Sequence, residues 1–199
     1  MQQAASDVHH GVWHTMTDRQ LIETYAWGKG SFHDAFGVFV NRHESALLSF
    51  AASFLRDESL AQDVVQEVFL RAARNPQRIL KCGNGEGGGE RNWLLKVVRD
   101  VSVDSLRRRA SERRVVEKAA LLPSINAPAA DAAMEGREQS ERVRVAIDRL
   151  KPRLRELLIL KVQEQKSYKE IAQIAGLTVT NVGFLLHQAM QALAQELKD

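Results

Sequence analysis

The stretch Ser167-Tyr168-Lys169-Glu170-Ile171-Ala172-Gln173-Ile174-Ala175-Gly176-Leu177-Thr178-Val179-Thr180-Asn181-Val182 decides the reading of this chain. Ser167 is placed to N-cap a helix, and Glu170 is spaced to close a capping box with it. Ile171, Ala172 and Ala175 then share one helical face. Gly176 falls where the backbone must enter a left-handed conformation to end the helix. Thr178 or Thr180 can cap a second helix whose inward stripe is Val182, Leu186, Ala189 and Leu193. Two short helices hinged at a glycine are the plan of a helix-turn-helix, sized for the DNA major groove. The plainer alternative is an ordinary pair of packed helices.

Composition sets the outer bounds. The chain has 199 residues, enough for one domain or two small ones, with 44% hydrophobic and 27% charged side chains. A net charge of +3 and an isoelectric point near 9.2 are compatible with a nucleic-acid partner. One cysteine excludes an intramolecular disulfide and suits a reducing compartment. No apolar run approaches a membrane span, and Met1 to Asp18 lacks the hydrophobic segment of a signal peptide. The expected location is the cytoplasm.

Periodicity along the rest of the chain is helical, and the expected fold is all-α. Residues 1–16 read as a loose tail. Thr17 and Gln20 open a helix carrying Leu21, Ile22 and Tyr25, broken at Gly28-Lys29-Gly30; Ser31 is placed to cap the next. A third helix is expected from a Ser59/Gln62 capping box to Arg74, where Asn75-Pro76 stops it. Its apolar stripe is Ala61, Val65, Val68, Phe69 and Ala72. A glycine-rich loop, 83–89, precedes a helix expected to bury Trp93, Leu94, Val97, Val98 and Val101 before turning basic at Arg107-Arg108-Arg109 and Arg113-Arg114. Proline and alanine in 119–137 compose a flexible tether. Beyond it come a helix from Arg142 to Leu150 and another with Pro152 in its first turn and Leu154, Leu157, Leu158 and Val162 inside. The layout is two small helical domains, 17–118 and 138–199, on either side of that linker.

Three tempting motifs carry little chemistry. Gly83-x-Gly85-x-x-Gly88 has the letters of a dinucleotide loop but no strand before it. His9, His10 and His14 lack the Cys or carboxylate company of a metal site. Cys82 has no positioned base that would make it a nucleophile.

Three segments together resemble the extracytoplasmic function (ECF) sigma factors of bacterial RNA polymerase. Asp63 to Ala72 (DVVQEVFLRA) resembles the helix that grips core polymerase, and Asn92 to Arg109 (NWLLKVVRDVSVDSLRRR) resembles the promoter-melting helix. Leu150 to Glu156 (LKPRLRE), followed by Ser167 to Ala172 (SYKEIA), resembles the start of the C-terminal promoter-binding domain. The resemblance implies a non-catalytic initiation subunit without a cofactor. Its implied partners are core RNA polymerase, promoter DNA and an anti-sigma protein.

It also implies roles for particular residues. Asp63, Gln66 and Glu67 would face the polymerase; without a partner the same stripe is a solvated face with Glu67 and Arg71 paired across one turn. Lys96, Arg99, Asp100, Arg107, Arg108 and Arg109 would meet the downstream (−10) element, the cations on phosphates. Asp100 stands where the family usually has Asn. Trp93, a conceivable base platform, is expected in the core because it lies on the apolar stripe. In the helix-turn-helix, Thr178, Thr180, Asn181, Gly183, Phe184, His187 and Gln188 would meet the upstream (−35) element. Family members usually carry several Arg or Lys residues there, whereas Gly183, Phe184, Leu185, His187, Gln188 and Met190 form the expected outer face here. That departure leaves a second reading open, a sigma-like regulator whose C-terminal face binds protein.

Overall fold

The computed structural model describes residues 13–28, 32–82, 89–119 and 136–197, with side chains described for all of these except 32–33, 112–119 and 136–141. Every regular element among the described residues is an α-helix. Packing divides the chain into two units, 1–102 and 103–199.

In the first unit, α1 (Asp18–Trp27) packs on α2 (Phe32–Leu55), which packs in turn on α3 (Glu58–Arg74). Next come α4 (Pro76–Cys82), lying against α1 and α3, and the first part of α5 (Gly89–Ala119). The Thr17/Gln20 capping box forms as expected, with the Gln20 amide donating to Thr17 Oγ1 at 3.3 Å. Gly28 ends α1 at φ +64°, a conformation that a side chain would strain. Leu21, Ile22, Phe39, Leu47, Phe50, Val68, Leu94, Leu95 and Val98 make the core. The expected Ser31 cap lies outside the described residues, as do 83–88 of the glycine loop, His9, His10 and linker residues 120–135.

Several local expectations need correction. α3 is capped by Asp57, whose carboxylate accepts from the Leu60 amide at 3.0 Å, and Ser59 lies inside the first turn. An extended Asp satisfies an orphan amide and also complements the helix dipole, so it takes the cap from a serine two positions on. Pro76 starts α4 as well as stopping α3, since a helix's first residue needs no N–H donor. Trp13 is buried in a helical turn at 13–15, so the loose tail does not extend to residue 16.

A polar cluster ties the ends of this unit together. Buried His43 lies 2.8 Å from Asp18 Oδ2 through Nε2 and 3.3 Å from Arg91 Nη1 through Nδ1. A guanidinium only donates, so the Arg91 contact is a hydrogen bond only while Nδ1 carries no proton, whereas Nε2–H donates to Asp18 whether the ring is neutral in that tautomer or charged. Arg42 Nη1 donates to the other Asp18 oxygen at 2.6 Å and Nη2 to the Met16 carbonyl at 3.1 Å. Burial pushes the Asp18 carboxyl up, but the bond and attraction of His43, then those of Arg42, outweigh it and hold the group below its ordinary 3.8. A carboxyl depressed in the folded state stabilises the fold above its unfolded pKa and loses that contribution as pH falls through the folded one. Wild type should therefore lose stability relative to Asp18→Asn as pH falls from about 5 to below the ordinary carboxylate value of 3.8. A difference in melting temperature that stays flat over that range would contradict the assignment.

In the second unit, α6 (Gly136–Arg149), α7 (Pro152–Val162), α8 (Tyr168–Ala175) and α9 (Val179–Glu196) enclose Leu157, Leu160, Ile171, Ile174, Val182 and Leu186. Arg155 is 3% exposed and donates to the carbonyls of Ile147 (3.1 Å), Leu150 (3.0 Å) and Asp148 at the end of α6. Arg153 bonds the Ala175 carbonyl and Glu156 Oε2, each at 2.7 Å, and so joins α7 to the end of α8. Val162 is exposed, not inside, because α7 ends there. Leu154 and Leu193 are half-buried.

Candidate polymerase and nucleic-acid interfaces

The polar side of α3 is open. Asp63 and Gln66 are exposed, and Glu67 accepts a 2.7 Å bond from Arg71 Nε, the expected one-turn pair. Leu70 is 43% exposed beside them, a contact candidate that the polar pattern concealed. On a helix, residues 63, 66, 67 and 70 lie along one face, so the surface offers carboxylates and an amide with an apolar side chain at one end.

Toward the C-terminal end of α3, beyond this face, α3, α4 and α5 leave an open cleft of about 490 Å³ lined by Arg71, Arg74, Asn75, Arg78, Trp93, Lys96, Val97 and Asp100. Trp93 and Val97 are half-buried walls of this cleft, not core; Leu95 takes the buried place instead. The apolar stripe of α5 is wider than one helix can cover, and its edge lines the opening. Arg78 escaped the sequence reading because α4 did; Ile79 and Leu80 after Pro76 were the available signal. Four cations around an indole suit an anionic ligand with a flat ring.

Along α5, Lys96 Nζ lies 3.7 Å from Asp100 Oδ2 and Arg99 Nη1 donates to Asp100 Oδ1 at 2.9 Å. Farther along the same helix Arg107, Arg108 and Arg109 are exposed. Arg107 pairs with Asp104 at 3.6 Å and Arg108 reaches the Ser105 hydroxyl at 3.4 Å. The Arg113 and Arg114 side chains lie outside those described.

The helix-turn-helix forms as read. Ser167 and Glu170 exchange both capping-box bonds, Gly176 sits at φ +65°, and Thr178 Oγ1 caps α9 by accepting from the Asn181 amide at 3.2 Å. Thr180, Asn181, His187 and Gln188 point outward with Phe184 (63% exposed) and Met190 (55%). Gly183 and Leu185 are half-buried, contrary to the expected outer face; an added Cβ at Gly183 would lie 3.6 Å from the Tyr168 ring. Tyr168 itself is flanked by Lys161, whose Nζ is 5.4 Å from the ring centre. Cys82 is a free, exposed thiol, and no group of three metal-type side chains occurs among the described residues.

Family models described as Sigma-70 region 2 and Sigma-70 region 4 match residues 39–112 and 140–193, in that order. The RNA polymerase sigma-H factor of Pseudomonas aeruginosa is 27% identical over 91% of this chain and 94% of its own length. The ECF RNA polymerase sigma factor SigM of Bacillus subtilis is 26% identical over 72% of this chain and 83% of its own. The chain belongs to the sigma-70 family, as an ECF sigma factor. The solved sigma factor RpoE of Bartonella quintana, in complex with the anti-sigma factor NepR, has the same fold, with a TM-score of 0.66 at 23% identity over 80% of this chain and 94% of that one. In this sigma factor the region 2 match takes in the α3 face and the cleft, and the region 4 match takes in α9 through Leu193. No helix among the described residues is long and apolar enough to cross a membrane.

Proposed function

We propose that this sigma factor docks on core RNA polymerase through the α3 face, holds the −10 element along α5 and the cleft beside it, and meets the −35 element with α9. The observation that carries the reading is the pairing of the region 2 match with an open polar α3 face and a cation-lined cleft inside it. The working division is 17–118 for polymerase and the −10 element, 119–137 as linker, and 138–199 for the −35 element. Asp63, Gln66 and Glu67 supply hydrogen-bond acceptors for a polar or basic partner helix, with exposed Leu70 one turn farther along. Lys96, Arg99, Arg107, Arg108 and Arg109 supply phosphate contacts. Thr180, Asn181, His187 and Gln188 offer donors and acceptors to base edges, and Phe184 an apolar contact for thymine methyls. The protein adds no catalytic group of its own, works in the cytoplasm beside its polymerase, and is inhibited by an anti-sigma protein, the kind of partner seen with the Bartonella relative.

Run-off transcription with core polymerase on a pool of random templates tests the whole. For docking, Asp63→Lys with Glu67→Lys should weaken competition for core polymerase by about five-fold, since exposed interface charges of reversed sign repel their partners. The fold should survive, because Asp63 is exposed and Glu67 makes only a surface pair. A double variant that competes as well as wild type removes the docking role from this face.

A second reading keeps the sigma fold but gives α9 a protein partner. It is favoured by one observation: α9 has no Lys or Arg, and shows Phe184 and Met190 to solvent. Transcription that depends on the upstream template sequence decides for DNA.

A further inference from the structure

Asp100 lies where the cleft meets α5, its side chain 44% exposed, with Lys96 and Arg99 on its two oxygens at 3.7 and 2.9 Å. Neither pair holds the fold together. A lysine one turn before the carboxylate is the weaker order for a helical ion pair, and adjacent residues on a helix do not face each other, so Arg99 reaches sideways to make its bond. The Lys96 pair is at the surface, and the Arg99 pair is partly shielded, with the Arg99 side chain 21% exposed. A phosphodiester offers these cations what the carboxylate offers, anionic oxygens for charge-assisted bonds. Arg74 and Arg78 on the opposite walls are the cations such a phosphate would approach next.

We propose that Asp100 is an internal phosphate surrogate that enforces selectivity for promoter over unrelated DNA. In the free protein it occupies Lys96 and Arg99 and lowers the positive potential of the cleft rim. A DNA phosphate binds there only by displacing it and then sits beside a retained negative charge. Binding to arbitrary DNA rests almost wholly on phosphate contacts, so it bears this penalty in full. A promoter that also supplies base contacts can overcome it. A repulsive element of this kind raises discrimination at some cost in affinity. The proposal rests on the reading of α5 as a promoter-binding helix.

The test uses holoenzyme assembled from core polymerase and wild type, Asp100→Asn, or Asp100→Asn with Lys96→Ala and Arg99→Ala. Affinity is measured over a salt series for two duplexes of equal length: an unrelated sequence and a template selected by run-off transcription. Asn keeps the shape and removes the charge. Asp100→Asn should bind the unrelated duplex about five-fold more tightly, the factor one unit charge is worth at about 4 Å in water. The selected template should gain less, so that the specificity ratio falls. The salt slope should steepen by about 0.9 for each phosphate contact released, and the added alanines should reverse the gain. Unchanged affinity and slope for the unrelated duplex would overturn the proposal, as would an effect confined to one base pair of the selected template, which would make Asp100 a base reader. If converting Arg107, Arg108 and Arg109 to alanine in the same assay still weakens binding, the failure is of Asp100's role alone. If it does not, the reading of α5 fails with it.

Discussion

Replacing Arg155 with alanine is expected to destabilise the second unit by about 3–5 kcal/mol. The guanidinium is almost wholly buried and donates to three carbonyls at the end of α6. Bonds from a charged donor are worth roughly 1.5–3 kcal/mol each, and removing the donor takes a charged partner from the carbonyl of buried Leu150 and from those of Ile147 and Asp148, whose bonds are part-buried. Those carbonyls include part of the C-terminal set that no helix can satisfy from within. Arg155→Lys should recover only part of the loss, since one ammonium cannot reproduce the planar fork. Amide exchange at Ile171 and Leu186 in the full chain reads the opening of this unit apart from the other. A loss below about 1 kcal/mol would mean that water or a neighbouring group replaces the guanidinium.

Converting Arg107, Arg108 and Arg109 together to alanine is expected to weaken holoenzyme binding to promoter DNA by about ten- to a hundred-fold near physiological salt. All three are exposed, so the fold has little to lose. Among the described side chains, Arg107 pairs with exposed Asp104 at 3.6 Å and Arg108 reaches Ser105 at 3.4 Å, contacts that a phosphate can outbid. The signature is the salt dependence, whose slope should become shallower by about 2.7 if all three neutralise phosphates. Equal slopes for variant and wild type would leave these arginines as a solvated helix surface.

What was legible in the sequence follows from how local the physics is. The turn at Gly176 and the boxes at Thr17 and Ser167 were readable because each is settled within three or four residues by one side chain and one amide. The all-α fold and the inward stripe of α9 followed from periodicity alone. The Asp57 cap was missed although it is equally local, because Ser59 and Gln62 offered a pattern that competed with it. Trp93, Val97 and Val162 failed for a different reason. Each continues an apolar stripe, but whether a stripe's edge is covered depends on where the next helix ends, and no single helix encodes that. Arg155 lay inside a quoted motif, yet its sequence neighbourhood gave no sign that the guanidinium turns inward to carbonyls five to eight residues back.

The absence of cations from α9 has a consequence for time as well as for affinity. Long-range attraction sets how often a protein meets DNA, and short-range fit sets how long it stays. With the arginines on α5 and none on α9, arrival at DNA would be governed by the first group and would slow as ionic strength rises. The upstream contact would instead lengthen residence, nearly independently of salt. A rise in salt would thus thin the encounters and loosen the α5 contacts while sparing the upstream one, leaving initiation to the promoters with the best upstream fit.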